Sequence, residues 1–149
     1  MPTRLWIWLQ NSLSVLVIGV APLSSSVSII PEWLHWPPRL LGGVGIIVGA
    51  YFGIAGVRDL GANRTPHPVP KGPSKLVTHG IYARVRHPLY SSLILVSFGW
   101  ALVWLSGAAL VPAVALTSLL IGKARVEESF LRRRYPEYVA YESRVGRFF

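Results

Sequence analysis

The chain has 149 residues, of which 52% are hydrophobic and only 14% charged. A soluble domain carries roughly 25% charge, so the composition points to a membrane. There is no cysteine, which excludes disulfides, thiolate–metal sites and a cysteine nucleophile.

Residues 5–24 form the first apolar segment, about 30 Å long as a helix and enough to cross a bilayer. Its single upstream arginine and its length favour a retained helix over a cleaved signal peptide. Gln10 and Ser14, four apart, give it a polar edge that should face protein rather than lipid. Trp6, Trp8, Trp33 and Trp36 fall near segment ends, as in an aromatic belt. The second segment, 40–57, carries Gly45, Gly49 and Gly53 at spacing four, a side where another helix can approach closely.

Residues 58–88 form a long basic loop. Its first half, TPHPVPKGP, reads as extended; its second half, KLVTHGIYARVRHP, alternates apolar and basic residues with a turn at His79-Gly80. The uncharged stretch 89–122 is too long for one crossing, at about 51 Å as a helix. Ser106-Gly107 is its natural turn, giving a hairpin of 89–105 and 108–122. The tail, 123–149, places Glu128, Leu131, Tyr135, Tyr138 and Glu142 on one helical face, with Arg132, Arg133 and Arg134 largely turned elsewhere. Pro136 interrupts and restarts that helix, and its arginine face suits anionic lipid.

With four crossings, fourteen of the fifteen Lys and Arg residues fall on one side and only Arg39 on the other. That is the positive-inside pattern, with both termini cytoplasmic. It accounts for the net charge of +9 without nucleic acid. The expected fold class is an all-α integral membrane protein, a single domain of about four transmembrane helices. These include a C-terminal helical hairpin, followed by a cytoplasmic amphipathic helical tail.

Two clusters carry chemistry. In Arg86-His87-Pro88, proline starts a helix and His87 becomes its N-cap, so the amides of Leu89 and Tyr90 are expected to point out unpaired. Such a positive helix start beside two basic side chains suits a carboxylate or phosphate; it also suits a charged membrane border. Glu127 and Glu128 supply the opposite charge and need partners, either neighbouring arginines or a ligand ammonium or sulfonium. A ligand wanting both ends is a zwitterion such as the amino-acid end of S-adenosylmethionine. Tyr82, Tyr90, Tyr135 and Tyr138 could flank its adenine and sulfonium.

Leu76-Val77-Thr78-His79-Gly80-Ile81-Tyr82, then Val85-Arg86-His87-Pro88-Leu89-Tyr90, resembles the signature of isoprenylcysteine carboxyl methyltransferases. The tail is similar to that family as well, in Glu127-Glu128, Leu131, Tyr135-Pro136-Glu137-Tyr138, Tyr141 and Arg144-Val145. The related phospholipid N-methyltransferases share the paired glutamates. The likeness covers residues 74–145. It departs from the pattern at Pro136, at Ser91-Ser92 and in ending at Phe149, earlier than eukaryotic members.

The resemblance implies an S-adenosylmethionine-dependent methyltransferase that alkylates a lipophilic carboxylate, thiol or amine by in-line displacement and releases S-adenosylhomocysteine. By it, His87 and Tyr90, supported by Arg86, would bind near the methionine carboxylate. Glu128 and Glu127 would hold the ammonium, while Leu76, Val77 and Tyr82 would line the adenine site. Arg144 would act catalytically by orienting an acceptor carboxylate. The expected partners are the bilayer and the acceptor, with no metal, because the four histidines lack close-spaced partners. One alternative is an NADPH-dependent reductase of the sterol-reductase type, disfavoured by the paired glutamates and the short chain. The other is a non-enzymatic scaffold whose arginines bind anionic lipid.

Overall fold

The computed structural model describes residues 3–25, 31–61 and 75–149. The expected extended stretch TPHPVPKGP lies outside them. Five α-helices follow one another: α1 (Thr3–Leu23), α2 (Trp36–Leu60), α3 (Pro88–Val103), α4 (Gly107–Arg134) and α5 (Tyr138–Glu142). Single 3-10 turns at Glu32–Leu34 and Gly80–Ala83 precede α2 and α3. Among the described residues there is no strand, only an isolated bridge between Val85 and Gly146.

Helices α1, α2 and α4 are long and apolar enough to cross a membrane, and α3 is a shorter apolar helix. At 16 residues, α3 extends about 24 Å, less than a hydrocarbon core of about 30 Å. Outward faces of α1 and α2 are bare and apolar, with Val15, Ile18, Ile47 and Ile54 all exposed. In water such a surface is a liability; against lipid tails it is the ordinary state of a membrane helix.

Small residues bring α2 against α3. Gly42, Gly49 and Gly56 are buried on α2, seven residues apart, with Gly45 and Gly53 between them on the same side. A Cβ on Gly42 would stand 2.5 Å from the Gly99 carbonyl oxygen, and one on Gly99 would stand 2.6 Å from that of Gly42. The expected close approach at Gly45, Gly49 and Gly53 is therefore part of a longer seam. Across the bundle, Leu116 and Leu120 of α4 are fully buried with Ile94 of α3, and Leu13 of α1 packs on them.

The hairpin turns where the sequence suggests. Leu105 takes a positive φ of 53°, and the Ser106 side chain caps α4 by accepting from Ala109 N at 3.1 Å. The far end is closed by Ser24 and Ser106, whose hydroxyl oxygens are 2.7 Å apart.

The tail departs from its expected form. Helix α4 does not stop at 122 but continues unbroken to Arg134. After Pro136 only the five-residue α5 forms, and the chain then returns to residues 85–87. Arg86 N donates to Gly146 O at 2.9 Å and His87 N to Arg147 O at 3.1 Å. An amphipathic helix lying on lipid would have left these amides unpaired. The structure instead wraps residues 135–149 over the start of α3.

Candidate active site

That wrapping encloses a cavity of about 470 Å³ at the charged end of the bundle, within the range of small-molecule sites. Five pieces of chain wall it: α1 through Ile7, Gln10 and Asn11; the end of α2 through Leu60; the segment before α3 through Leu76, Val77 and Tyr82; the start of α3; and α4 with the tail.

The two glutamates face different surroundings. Glu128 is fully buried and ringed by basic side chains. Arg147 donates twice, Nε to Oε1 at 2.8 Å and Nη2 to Oε2 at 2.7 Å. Arg86 Nη2 lies at 3.3 Å and His87 Nε2 at 3.1 Å from Oε1. Glu127 faces the cavity. Its Oε2 accepts from the Tyr90 hydroxyl at 2.9 Å and stands 3.8 Å from His87 Nδ1. The imidazole thus presents one nitrogen to each carboxylate, and it stacks flat on the Tyr90 ring, centroids 5.2 Å apart.

The tail is tied down at two further points. Arg86 Nη1 donates to Glu142 Oε2 at 3.1 Å, and Arg132 forms a fork to Glu142 at 2.8 and 2.7 Å. Hydrogen bonding from Arg132 holds the Glu142 carboxyl below its ordinary range, against the opposing effect of its partial burial. The Tyr141 hydroxyl donates to the Tyr82 carbonyl at 2.6 Å. Burial pushes the Tyr141 phenol up to about 12; burial first, then the charge of Glu127, raises Tyr82 as well. Burial likewise raises Tyr138, with Glu128 adding to it. These phenols remain protonated donors across the physiological range.

Two buried polar atoms on the cavity's lining residues have no hydrogen-bond partner, Arg86 Nε and the Tyr138 hydroxyl. Orphaned buried donors are rare enough to call for a partner.

Of the residues singled out from sequence, Leu76, Val77, Tyr82, Arg86, His87, Tyr90, Glu127 and Tyr138 all line this cavity. Glu128 stands behind the wall and Arg144 lies off it. The Arg144 side chain is exposed, with Nε donating to Ala140 O at 3.0 Å. The helix start also differs from expectation. Tyr90 N donates to His87 O at 3.1 Å, as does Ser91 N at 3.0 Å, so the Tyr90 amide is not available to an anion.

Sequence reasoning passed over Lys123 and Arg147, and placed Glu142 on the face of Glu128 without giving it a role. Lys123 could have been found, since it lies four residues before Glu127 and so shares its helix face. Arg147 and Glu142 enter through the return of the tail, which no local pattern announces. Gln10, expected to face protein, does so: its Oε1 accepts from Lys123 Nζ at 2.8 Å.

No curated protein matches the chain. The profile of the family described as phospholipid methyltransferase matches residues 38–138, from the start of α2 to the first residue of α5. That span covers the glycine seam, the Arg86-His87-Pro88 helix start, the hairpin and both glutamates. The chain accordingly belongs to the phospholipid methyltransferase family, the family of isoprenylcysteine carboxyl methyltransferase-like membrane methyltransferases.

Proposed function

We propose that the cavity binds S-adenosylmethionine and that the protein transfers its methyl group to a lipophilic acceptor. One observation carries the reading: the Glu127 carboxylate, bonded by Tyr90, shares one cavity with Leu76, Val77 and Tyr82 and with the start of α3. An ammonium suits Glu127. Leu76, Val77 and Tyr82 offer an apolar and aromatic wall for the adenine.

In this reading Glu128 does not touch the cofactor. It fixes Arg86, His87 and Arg147, and through them the shape of the cavity. Arg144 is left out, because its guanidinium is directed to Ala140 rather than the cavity.

S-adenosylmethionine, when bound, supplies a methyl group already activated on a sulfonium. The protein's task is then alignment and the exclusion of water. A carboxylate or thiolate acceptor needs no base, whereas an amine must first lose a proton. Ile7, Leu89 and Leu93 give the cavity an apolar wall on helices whose other faces meet lipid. That wall suits an acyl or prenyl chain arriving sideways from the bilayer, while the cofactor enters from the cytoplasm.

The test is calorimetry on detergent-solubilised protein with S-adenosylhomocysteine and NADPH, followed by transfer of labelled methyl groups to membrane lipid. Saturable binding of S-adenosylhomocysteine and none of NADPH is expected. NADPH binding without S-adenosylhomocysteine binding would turn the reading to a reductase.

A further inference from the structure

Lys123 is a buried cation that the site described so far does not use. It is 6% exposed and is the first charge after the uncharged stretch 89–122. Its Nζ donates to Gln10 Oε1 at 2.8 Å and lies 5.2 Å from the centre of the Tyr90 ring. Among the described residues no carboxylate comes within 4 Å of it. The ion pairs of the described residues engage Arg58, Arg86, His87, Arg132 and Arg147 instead. Glu127, one turn along the same helix, bears on it electrostatically, but its hydrogen bond is to Tyr90 and it stands 3.8 Å from His87 Nδ1.

An ammonium has three donors, and one of them is used here. Burying such a charge without a close counter-ion is costly, and buried charges are ordinarily paired at contact. Lys123 and Gln10 both line the cavity, so the missing anion has a place to bind. The amino-acid end of the cofactor is assigned to Glu127. Lys123 lies one turn before it, next to the uncharged part of α4.

We propose that Lys123, held in place by Gln10, binds an anionic group of the acceptor, a phosphate or carboxylate, and is thereby a specificity-determining residue. This rests on the reading of the cavity as a methyltransferase site. The acceptor is then an amphiphile whose negative headgroup stops at Lys123 while its chain lies along Ile7 and Leu93. The reacting atom is carried by that headgroup or lies next to it.

The experiment titrates dodecyl phosphate, dodecanoate, dodecanol and inorganic phosphate into detergent-solubilised wild type, Lys123→Met and Lys123→Arg. S-adenosylhomocysteine is titrated into each in parallel. Wild type is expected to prefer dodecyl phosphate or dodecanoate to dodecanol, and the stronger of the two identifies the anion. Lys123→Met should lose that preference by about ten- to a hundredfold, the scale of one charge-assisted hydrogen bond. Lys123→Arg should keep most of it, and S-adenosylhomocysteine affinity should stay within about twofold throughout.

An unchanged preference in Lys123→Met overturns the proposal. So does weaker S-adenosylhomocysteine binding in that variant, which would assign Lys123 to the cofactor, or inorganic phosphate binding as tightly as the alkyl phosphate. If wild type binds no S-adenosylhomocysteine yet the anion preference vanishes in Lys123→Met, the anion site stands and the cofactor reading falls.

Discussion

Glu127 and Glu128 are neighbours in sequence, but a helix turns successive side chains by about 100°. That rotation puts one carboxylate on the cavity and the other into a ring of basic side chains. Their substitutions should therefore separate. Glu127→Gln is expected to weaken S-adenosylhomocysteine by about 1.5–3 kcal/mol, as for a lost charged hydrogen bond, with little change in thermal unfolding. Glu128→Gln strands Arg86, His87 and Arg147 around a neutral amide. Breaking a buried pair from one side costs about 3–5 kcal/mol, so this variant should unfold at markedly lower temperature. Calorimetry and thermal melts of both in the same detergent check the division, and equal melting points would deny Glu128 its structural role. Nothing in the residues around position 128 distinguishes these fates. The main partner, Arg147, arrives nineteen residues later, and only the return of the tail selects which glutamate it meets.

Between elements, two contacts govern the site. The first is the α2–α3 seam, which was partly legible because glycines at regular spacing imply close packing. The partner face was not, since Gly99 stands alone in its helix and acquires meaning only opposite Gly42. Gly42→Ala would drive a Cβ into the Gly99 carbonyl and should destabilise the protein by about 1–3 kcal/mol, the usual cost of overpacking. Gly43→Ala meets nothing within 4 Å and should instead be neutral or stabilise through helix propensity. Thermal unfolding of the pair compares adjacent positions directly. The second contact is the latch of α5 onto α4 through Glu142, Arg132 and Arg86. Because the Glu142 carboxyl is held below its ordinary value, the latch stabilises fully above the unfolded carboxylate value of about 4.3. It weakens as pH falls below that toward the folded value. The melting temperature of wild type should exceed that of Glu142→Gln at pH 7, with the gap narrowing as pH falls below about 4.3; a gap that does not narrow in acid would contradict the assignment.

At the scale of the whole molecule, charge sorts the two ends of the bundle. The start of α1, the end of α2, the start of α3 and the end of α4 meet at the cavity, joined by Lys123 to Gln10, Asp59 to the Ile81 amide, and His87 to Glu128. The opposite end holds small hydroxyl contacts, Ser24 to Ser106 and Ser25 to the Trp104 carbonyl. Apolar segments and the position of the hairpin were readable because burial in lipid imposes length and composition on each helix separately. The cavity was not, since it exists only once distant segments close around it. Concentration of arginines at the cavity end predicts that this end is cytoplasmic. The chain has no cysteine, so single introduced cysteines can report on it without background. Arg144→Cys, at the cavity end, should react with a membrane-impermeant maleimide only in inside-out vesicles. Glu32→Cys, exposed in the opposite loop, should react only in intact cells. Labelling of both from one side would mean that α1 and α2 do not cross, and the acceptor would then have to reach Lys123 from water rather than from lipid.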